Sequence, residues 1–585
     1  MKRADETGPD SEFDPVELEI MRSRWRGAAE EACAAMVRSA YSPNIKDRRD
    51  CSAALALPDG QVIAQAEVGT PLHLGIMPAI LRAVLARFPA SGFRPGDAVI
   101  TNLPYPEGPG HLPDVSMVSG VFHGGRLVAL AATTAHHIDL GGYAPGSMPF
   151  GVHEIYQEGL QIPPVQIIRG GEFSAELLSL IEQNVRTQHE LRGDLLAQFA
   201  AGQTAEARVQ EMAARDGAER VTRYARHILD HAERCMRAGI AGLPDGTYRF
   251  EDLLDDDGVS DQPVKIAAAV TVRGDELSVD FAGSSPQVRG PLNCRLSAAR
   301  SCVYYAAKAV IDPDLPVCSG AYRPIEVLAE EGSVLHARFP AAIGNANILT
   351  DQRVVDVLLG ALHQAAPERV CAACSGEMNL INLGGIDHRG ADRSIDAHGV
   401  NEHGGAGRYF NYVETLAGGQ GASHDLDGAD AVHTHLTNTL NTPVEVIEQN
   451  YPLRVVRYEI IPGSGGPGRQ RGGCGLRREL ECLVDGVTVS IGADRRRFTP
   501  WGVGNDRTAR GAFCCCRRAG GVVEPLPTKV LTTLNRGDVL CIETPGGGGW
   551  GDPADRDPEA TAFDQLEGLV TPPTADATGE PPCDC

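Results

Sequence analysis

No run of eighteen apolar residues occurs anywhere in this 585-residue sequence, so no segment is long enough to cross a bilayer as a helix. The opening Met-Lys-Arg-Ala-Asp-Glu-Thr-Gly also lacks the apolar stretch of an export signal. Cytoplasmic placement is therefore expected, with no membrane contact. Basic residues are in deficit, 53 Lys and Arg against 77 Asp and Glu, for a net charge of -24. A surface that negative repels phosphate backbones, so no nucleic-acid partner is expected. No Gly-x-Ser-x-Gly occurs, which removes the serine-hydrolase elbow. The Gly-rich stretch Thr544 to Pro553 lacks the Lys-Ser/Thr of a phosphate-binding loop and reads as tight turns. Cys371 and Cys374 form one Cys-x-x-Cys, but no second pair sits at finger-like spacing. The 16 cysteines therefore read as reduced thiols, several of them small core residues. The run Cys514-Cys515-Cys516 has no chemical reading in the sequence.

What is present is globular. A hydrophobic fraction of 42% with 22% charged residues is ordinary, and the length exceeds what one core organises, which implies two to four structural units. Disorder is expected only at residues 1–13 and 571–585. Asp14 as N-cap, Pro15 at the first helical position and Glu17 in a capping-box pattern predict a helix to about Ala40. Its buried stripe would be Leu18, Met21, Trp25, Ala28, Ala32 and Met36. Pro78 to Phe88 reads as a second helix and Ala98 to Thr101 as a strand. Residues 175–240 read as helical with breaks near Gly193, Gly202 and Gly217, and Ala298 to Val310 as a further helix. Strands are expected at Val264 to Val272, Glu276 to Ala282, Arg454 to Ile461 and Glu479 to Gly492. The pattern predicts a large mixed α+β fold with an α/β N-terminal half carrying a metal-bearing hairpin, a helical middle and a β-rich C-terminal half. Its regions would be α/β at 14–174, helical at 175–245, mixed α/β at 246–375 and Gly-rich β at 376–570.

The stretch with most chemistry runs from Asn102 to Pro149. Gly124-Gly125 suits a two-residue hairpin, since both glycines reach positive φ without strain. That turn pairs His123 with Arg126, and the register carried outward sets His136 opposite Pro113. Paired Cα atoms in such a ladder lie about 4.5–5.5 Å apart. His136 thus lands beside His111 and Asp114, while His137 points to the other face. Two imidazoles and a carboxylate suit zinc, manganese or iron(II) with positions left open. The same residues could equally hydrogen-bond loop backbone, and spacing alone leaves both readings standing. Asp47-Arg48-Arg49-Asp50 could be a surface ion-pair cluster, and His73 a hydrogen-bonded loop histidine.

Taken together, these motifs resemble the hydantoinase B/oxoprolinase family. The resemblance rests on Arg49-Asp50-Cys51-Ser52, Pro71-Leu72-His73-Leu74-Gly75, His111-Leu112-Pro113-Asp114, His136 to Gly142, Pro145-Gly146-Ser147 and Glu158 to Pro164. Downstream it continues through Gly193-Asp194, Ala197-Gln198, Ser285 to Pro291, Asn438-Thr439, Pro443-Val444-Glu445, Tyr451-Pro452, Ser464-Gly465-Gly466 and Gly546 to Pro553. It implies that Asp50, His111, Asp114 and His136 bind a catalytic divalent ion. It implies roles for His73 as acid/base or pocket residue, and for His137 and Asp139 as residues that orient ligands. It further implies a hetero-oligomer whose other member, hydantoinase A-like, binds ATP and activates a small-molecule substrate. The expected activity is ATP-dependent hydrolysis of a cyclic amide; ketone carboxylation of the acetone/acetophenone carboxylase type and a non-catalytic scaffold are the alternatives. Leu103, Cys318 and Gly463 depart from the family pattern, which has Asp, Asn and Asp there.

Overall fold

The computed structural model describes residues 14–389 and 407–570. The terminal segments expected to lack order lie outside the described residues, as do Cys583 and Cys585. The fold is mixed α+β with four sheets, none closed into a barrel among the described residues. No described helix is long and apolar enough to cross a membrane.

The first helix, Pro15–Ser39, begins as predicted. Asp14 accepts a hydrogen bond from Val16 N and Pro15 takes the first turn, where its missing N–H costs nothing. Glu17 does not close a capping box; its carboxylate binds Arg220 and Tyr224 instead. The stripe from Leu18 to Met36 is buried, and the helix packs against a second long helix, Gln188–Asp216.

A seven-stranded sheet positions the candidate site. Its strands are β1 (Cys51–Ala56), β2 (Val62–Gln65), β3 (Ala98–Thr101), β4 (Asp114–His123), β5 (Arg126–His136), β6 (Val165–Arg169) and β7 (Glu172–Phe173). The order is β2-β1-β5-β4-β3-β6-β7, every neighbouring pair antiparallel. Thr133 and Thr134 are neighbours on β5 and so point to opposite faces. Gln198 of helix Gln188–Asp216 reaches Thr133, whereas Met77 of helix His73–Arg87 meets Thr134. Helices therefore cover both faces.

Several expectations need correction. Helix Gln188–Asp216 runs unbroken through Gly193 and Gly202; the helical region breaks instead at residues 183–187, after helix Ala175–Glu182, and at Gly217, where φ is 84°. The two glycines serve close approach: a Cβ on Gly193 would sit 2.1 Å from Tyr41 Cγ, and one on Gly202 2.8 Å from Ser119 Oγ. The second helix starts at His73, not Pro78, because Thr70 and Pro71 carbonyls accept His73 and Leu74 N–H groups and form an extra turn. Residues 479–492 belong to two strands, Leu476–Cys482 and Val487–Gly492, divided by a turn with Gly486 at φ 74°. Gly546 to Gly549 make no tight turn. They are buried against other backbone, and a Cβ on Gly547 would meet Gln420 O at 2.0 Å.

A four-stranded sheet of Gly246–Leu254, Val264–Arg273, Glu276–Asp280 and Ile325–Leu328 packs under helix Thr350–His363. Two further sheets are built from strands between Leu380 and Glu543. One apolar core extends from Leu18 to Leu436, and a second joins these last sheets. Cys514 and Cys516 point into that second core from strand Phe513–Arg517. They act there as small apolar residues, and burial pushes the Cys516 thiol up to about 11.

Candidate metal centre

Gly124 and Gly125 turn the β4–β5 hairpin with φ of 57° and 78°. His123 pairs with Arg126 and Phe122 with Leu127, as the expected register requires. The ladder then passes over Val128, and from Val121–Ala129 onward the pairing is displaced by one residue. His136 consequently stands opposite Asp114, not Pro113. A bulge of this kind changes which residues share a face. Here it puts Asp114 and His136 side by side, above the paired hydroxyls of Ser116 and Thr134.

β1 flanks β5 on its other edge, with Cys51 opposite Ala135. The preceding residue, Asp50, falls beside His136, whose N–H donates to Asp50 O at 3.1 Å. Three adjacent strands thus present Asp50, His136 and Asp114 at one end of the sheet. His111 enters from the segment before β4. Its Nδ1 meets Gly344 O at 3.0 Å, which aims Nε2 at Asp114 Oδ2, 3.2 Å away.

His136 Nδ1 lies 3.6 Å from Asp114 Oδ1 and 3.9 Å from Asp50 Oδ2. Its Nε2 is buried without a hydrogen-bond partner. Those separations are too long for hydrogen bonds and suit ligands arranged about one cation. One ligand atom each from His111, Asp114 and His136 lies within 4.8 Å of the others. An imidazole–carboxylate set of this kind fits a divalent ion such as zinc, manganese or iron(II). Burial works against ionisation of Asp114, but the imidazoles of His111, His136 and His73 hold its carboxyl well below the usual range. Burial likewise opposes protonation of His111, and the Asp114 carboxylate outweighs it, so the imidazole is raised.

His73 joins this cluster. It opens helix His73–Arg87, accepts or donates at Nδ1 with Ser52 Oγ at 2.8 Å, and places Nε2 3.8 Å from Asp114 Oδ2. His137 and Asp139 are carried elsewhere. His137 Nε2 meets Gln198 Oε1 at 3.0 Å on the opposite face, and burial lowers its imidazole. The Asp139 carboxylate is occupied by Gly141 N, Gly146 N and the Arg186 guanidinium.

The sequence does not say what the other contributors touch, because their partners lie far along the chain. Asn347 Nδ2 donates to Asp114 Oδ2 at 3.4 Å, Asn44 Nδ2 to His136 O at 2.8 Å, and Thr70 Oγ1 to Asp50 Oδ1 at 3.1 Å. Glu158 Oε1 accepts Ile343 N and Gly344 N at 2.8 and 2.7 Å, fixing the carbonyl that orients His111. Burial pushes the Glu158 carboxyl up to about 8. The cavity among these groups holds about 30 Å³ and is walled by Met148, Ile348, Met378 and Thr437. That is room for a water or two. Leu103, Cys318 and Gly463 are not among its lining residues.

The profile of the hydantoinase B/oxoprolinase family matches residues 14–553. The B-type component of a D-/L-hydantoinase from Pseudomonas sp. strain NS671 is 31% identical over 96% of this chain and 93% of its own length. A 5-oxoprolinase from Dictyostelium discoideum is 32% identical over 92% of this chain, which spans 40% of that protein. Among solved structures, an ATP-dependent caprolactamase from Pseudomonas jessenii shares the fold with a TM-score of 0.86 at 28% identity, covering 96% of this chain and 95% of that one. An acetone carboxylase in its nucleotide-free form shares the fold alone, with a TM-score of 0.85 at 20% identity over 95% of this chain and 78% of that one.

Proposed function

The chain belongs to the hydantoinase B/oxoprolinase family, and on that premise we propose that it is the metal-dependent subunit of an ATP-dependent cyclic amide hydrolase. The reaction would open a hydantoin, 5-oxoproline or lactam ring. The observation that carries this reading is the convergence of Asp50, His111, Asp114 and His136 from three strands and one loop on a buried cavity. A relative named as one component of a multi-chain hydantoinase, and a 5-oxoprolinase more than twice as long, support a hydantoinase A-like partner that binds ATP and completes a hetero-oligomer.

Amide resonance makes a ring carbonyl a poor electrophile, so activation must precede attack. The partner would transfer a phosphoryl group from ATP to the carbonyl oxygen, giving an imidate phosphate. Water adds to the ring carbon, the C–N bond breaks, and the nitrogen leaves protonated, as an amine from oxoproline or a lactam and as a ureido NH2 from a hydantoin. The resulting acyl phosphate takes a second water to yield carboxylate and inorganic phosphate. A divalent cation held by Asp50, His111, Asp114 and His136 supplies Lewis acidity for such chemistry, acidifying water and polarising carbon–oxygen bonds.

The chain's own residues then have distinct tasks. His73, with its Nδ1 fixed by Ser52, takes a proton from the attacking water and returns it to the ring nitrogen through Nε2. His137 acts as a positioning residue through Gln198, which also binds Val115 O and so ties the ends of β4 and β5 together. Asp139, with Arg186, fixes the loop that leaves His136. A lactam ring exceeds the cavity of about 30 Å³, so substrate entry requires the Met148 and Met378 walls to part.

The test is to co-purify the chain with its ATP-binding partner and screen hydantoin, 5-oxoproline and caprolactam. ATP-dependent ring opening, lost in His111→Ala, is the expected result. Turnover only of ketones with bicarbonate would favour carboxylation instead. A divalent metal content that His111→Ala leaves unchanged would point to a scaffold.

A further inference from the structure

The Cys371-x-x-Cys374 pair, which has no second pair at finger-like spacing in the sequence, meets its complement in space. Helix Thr350–His363 supplies Asp356, and the segment after Ala431 supplies His435. One ligand atom each from Asp356, Cys374 and His435 lies within 4.8 Å of the others, and all three residues are buried. His435 Nε2 is 3.1 Å from Asp356 Oδ1. Cys371, Cys374 and His435 all line one cavity. Three donors of the types that zinc prefers thus converge, a thiol, an imidazole and a carboxylate, and the Cys371 thiol lines the same cavity beside them.

We propose that Cys371, Cys374, His435 and Asp356 form a second, structural zinc site, closed and distinct from the centre around His111. Zinc bonds of about 2.0–2.3 Å place tetrahedral ligand atoms roughly 3.3–3.8 Å apart. The His435–Asp356 separation of 3.1 Å is close to that range, Cys374 lies within 4.8 Å of both, and Cys371, which stands outside that set, swings in as the fourth ligand.

The surroundings are those of an outer coordination shell. Gly421 N donates to Cys374 Sγ at 3.3 Å, and Cys374 N donates to Asp356 Oδ1 at 3.2 Å. The other Asp356 oxygen binds the Arg495 guanidinium. Two thiolates and a carboxylate carry three negative charges against two on zinc, and Arg495, shared with Asp252, offsets part of the remainder. His435 and Arg495 both hold left-handed backbone, with φ of 57° and 63°. Non-glycine residues persist there only when their surroundings over-determine them. Gly376, at φ 66°, lets the loop after Cys374 pass where a Cβ would stand 2.5 Å from Asp356 Oδ2. A cavity of about 470 Å³ lined by Cys371, Cys374, His435 and Tyr305 gives an ion a route in.

The site would staple the segment that walls the first centre. Leu436 O accepts Leu72 N, next to His73, and Asn438 Nδ2 donates to Gly69 O. Thr437 lines both cavities. The first centre contains only nitrogen and oxygen ligands, and cobalt(II) therefore tells the two apart.

The experiment refills metal-free protein with cobalt(II), in a Cys583→Ser/Cys585→Ser background that removes the terminal thiols. The expected result is a near-ultraviolet thiolate-to-cobalt charge-transfer band that persists in His111→Ala and disappears in Cys374→Ser. Zinc added to cobalt-free protein should raise Tm, and less so in Cys374→Ser. Absence of the band in folded protein with intact Cys371 and Cys374 would overturn the proposal, and this arm does not depend on any variant of the site folding. A band of undiminished height in Cys374→Ser would overturn it equally.

Discussion

Glu158 offers a quantitative test of how the candidate centre is held. Its carboxyl is fully buried, and burial raises it from 4.5 to about 8. In metal-free protein the folded state therefore keeps Glu158 protonated at neutral pH, while the unfolded chain ionises it. Between pH 4.5 and 8 the native state binds the extra proton, so this group's contribution to stability falls as pH rises. It is fully present below about pH 4.5 and lost once pH passes about 8. At about 1.4 kcal/mol per pH unit, the span of 3.5 units sets a ceiling of about 5 kcal/mol. Glu158→Gln keeps an oxygen for Ile343 N and Gly344 N but cannot ionise. Thermal unfolding of both proteins without metal, from pH 5 to 8.5, should show the Gln variant gaining on the parent as pH rises. The gain should level off near pH 8. Parallel Tm–pH profiles, or a parent that gains on the variant towards pH 8, would refute the protonated carboxyl and its link to His111 through Gly344.

Asp114→Asn removes the carboxylate faced by three imidazoles. Outer-shell changes alone cost metal sites about 10–100-fold in affinity, so the affinity of this centre for its ion and the turnover should each fall by at least about 100-fold, measured by metal titration in a Cys374→Ser background and by ATP-dependent ring opening. Ser52→Ala leaves His73 Nδ1 buried without its partner; an unsatisfied buried group costs about 1–3 kcal/mol. It should lower kcat about tenfold or more while metal content stays constant. Gly193→Ala drives a methyl to within 2.1 Å of the Tyr41 ring. Overpacking of this kind costs about 1–3 kcal/mol, which should appear as a lower Tm.

Elements with local chemistry are legible in the sequence. Asp14 and Pro15 announce the first helix, and Gly124-Gly125 announces the β4–β5 hairpin, both within a residue or two of their observed places. Long-range partners are not. Asp50 reaches His136 only because β1 pairs with β5 across some eighty residues, and nothing local to either strand encodes that pairing. The family motifs supply Asp50 where spacing does not. Asn347 and Gly344 are more distant still, and the group Cys374, His435 and Asp356 is assembled from three separate elements. Gly193 and Gly202 mislead for a related reason: a glycine that ends a helix and a glycine that lets another chain segment approach look alike until the neighbour is known.

The hairpin register shows where such reading stops. Strand register is legible when one face is apolar and the other polar. β5 is covered by helices on both faces, and from Val128 to Ala135 every residue is buried. Alternation is erased, and nothing marks Val128 as the residue that the ladder passes over. Without that bulge, His136 would oppose Pro113 and Asp114 would oppose Ala135, on the face turned away from His136. The carboxylate would then point with His137 towards Gln198. One unpaired valine thus decides which side of the sheet Asp114 serves. The double burial that hides the register also keeps Asp114 and the three histidines within one enclosure shielded from bulk solvent, where weak approaches between imidazole and carboxylate can hold an ion.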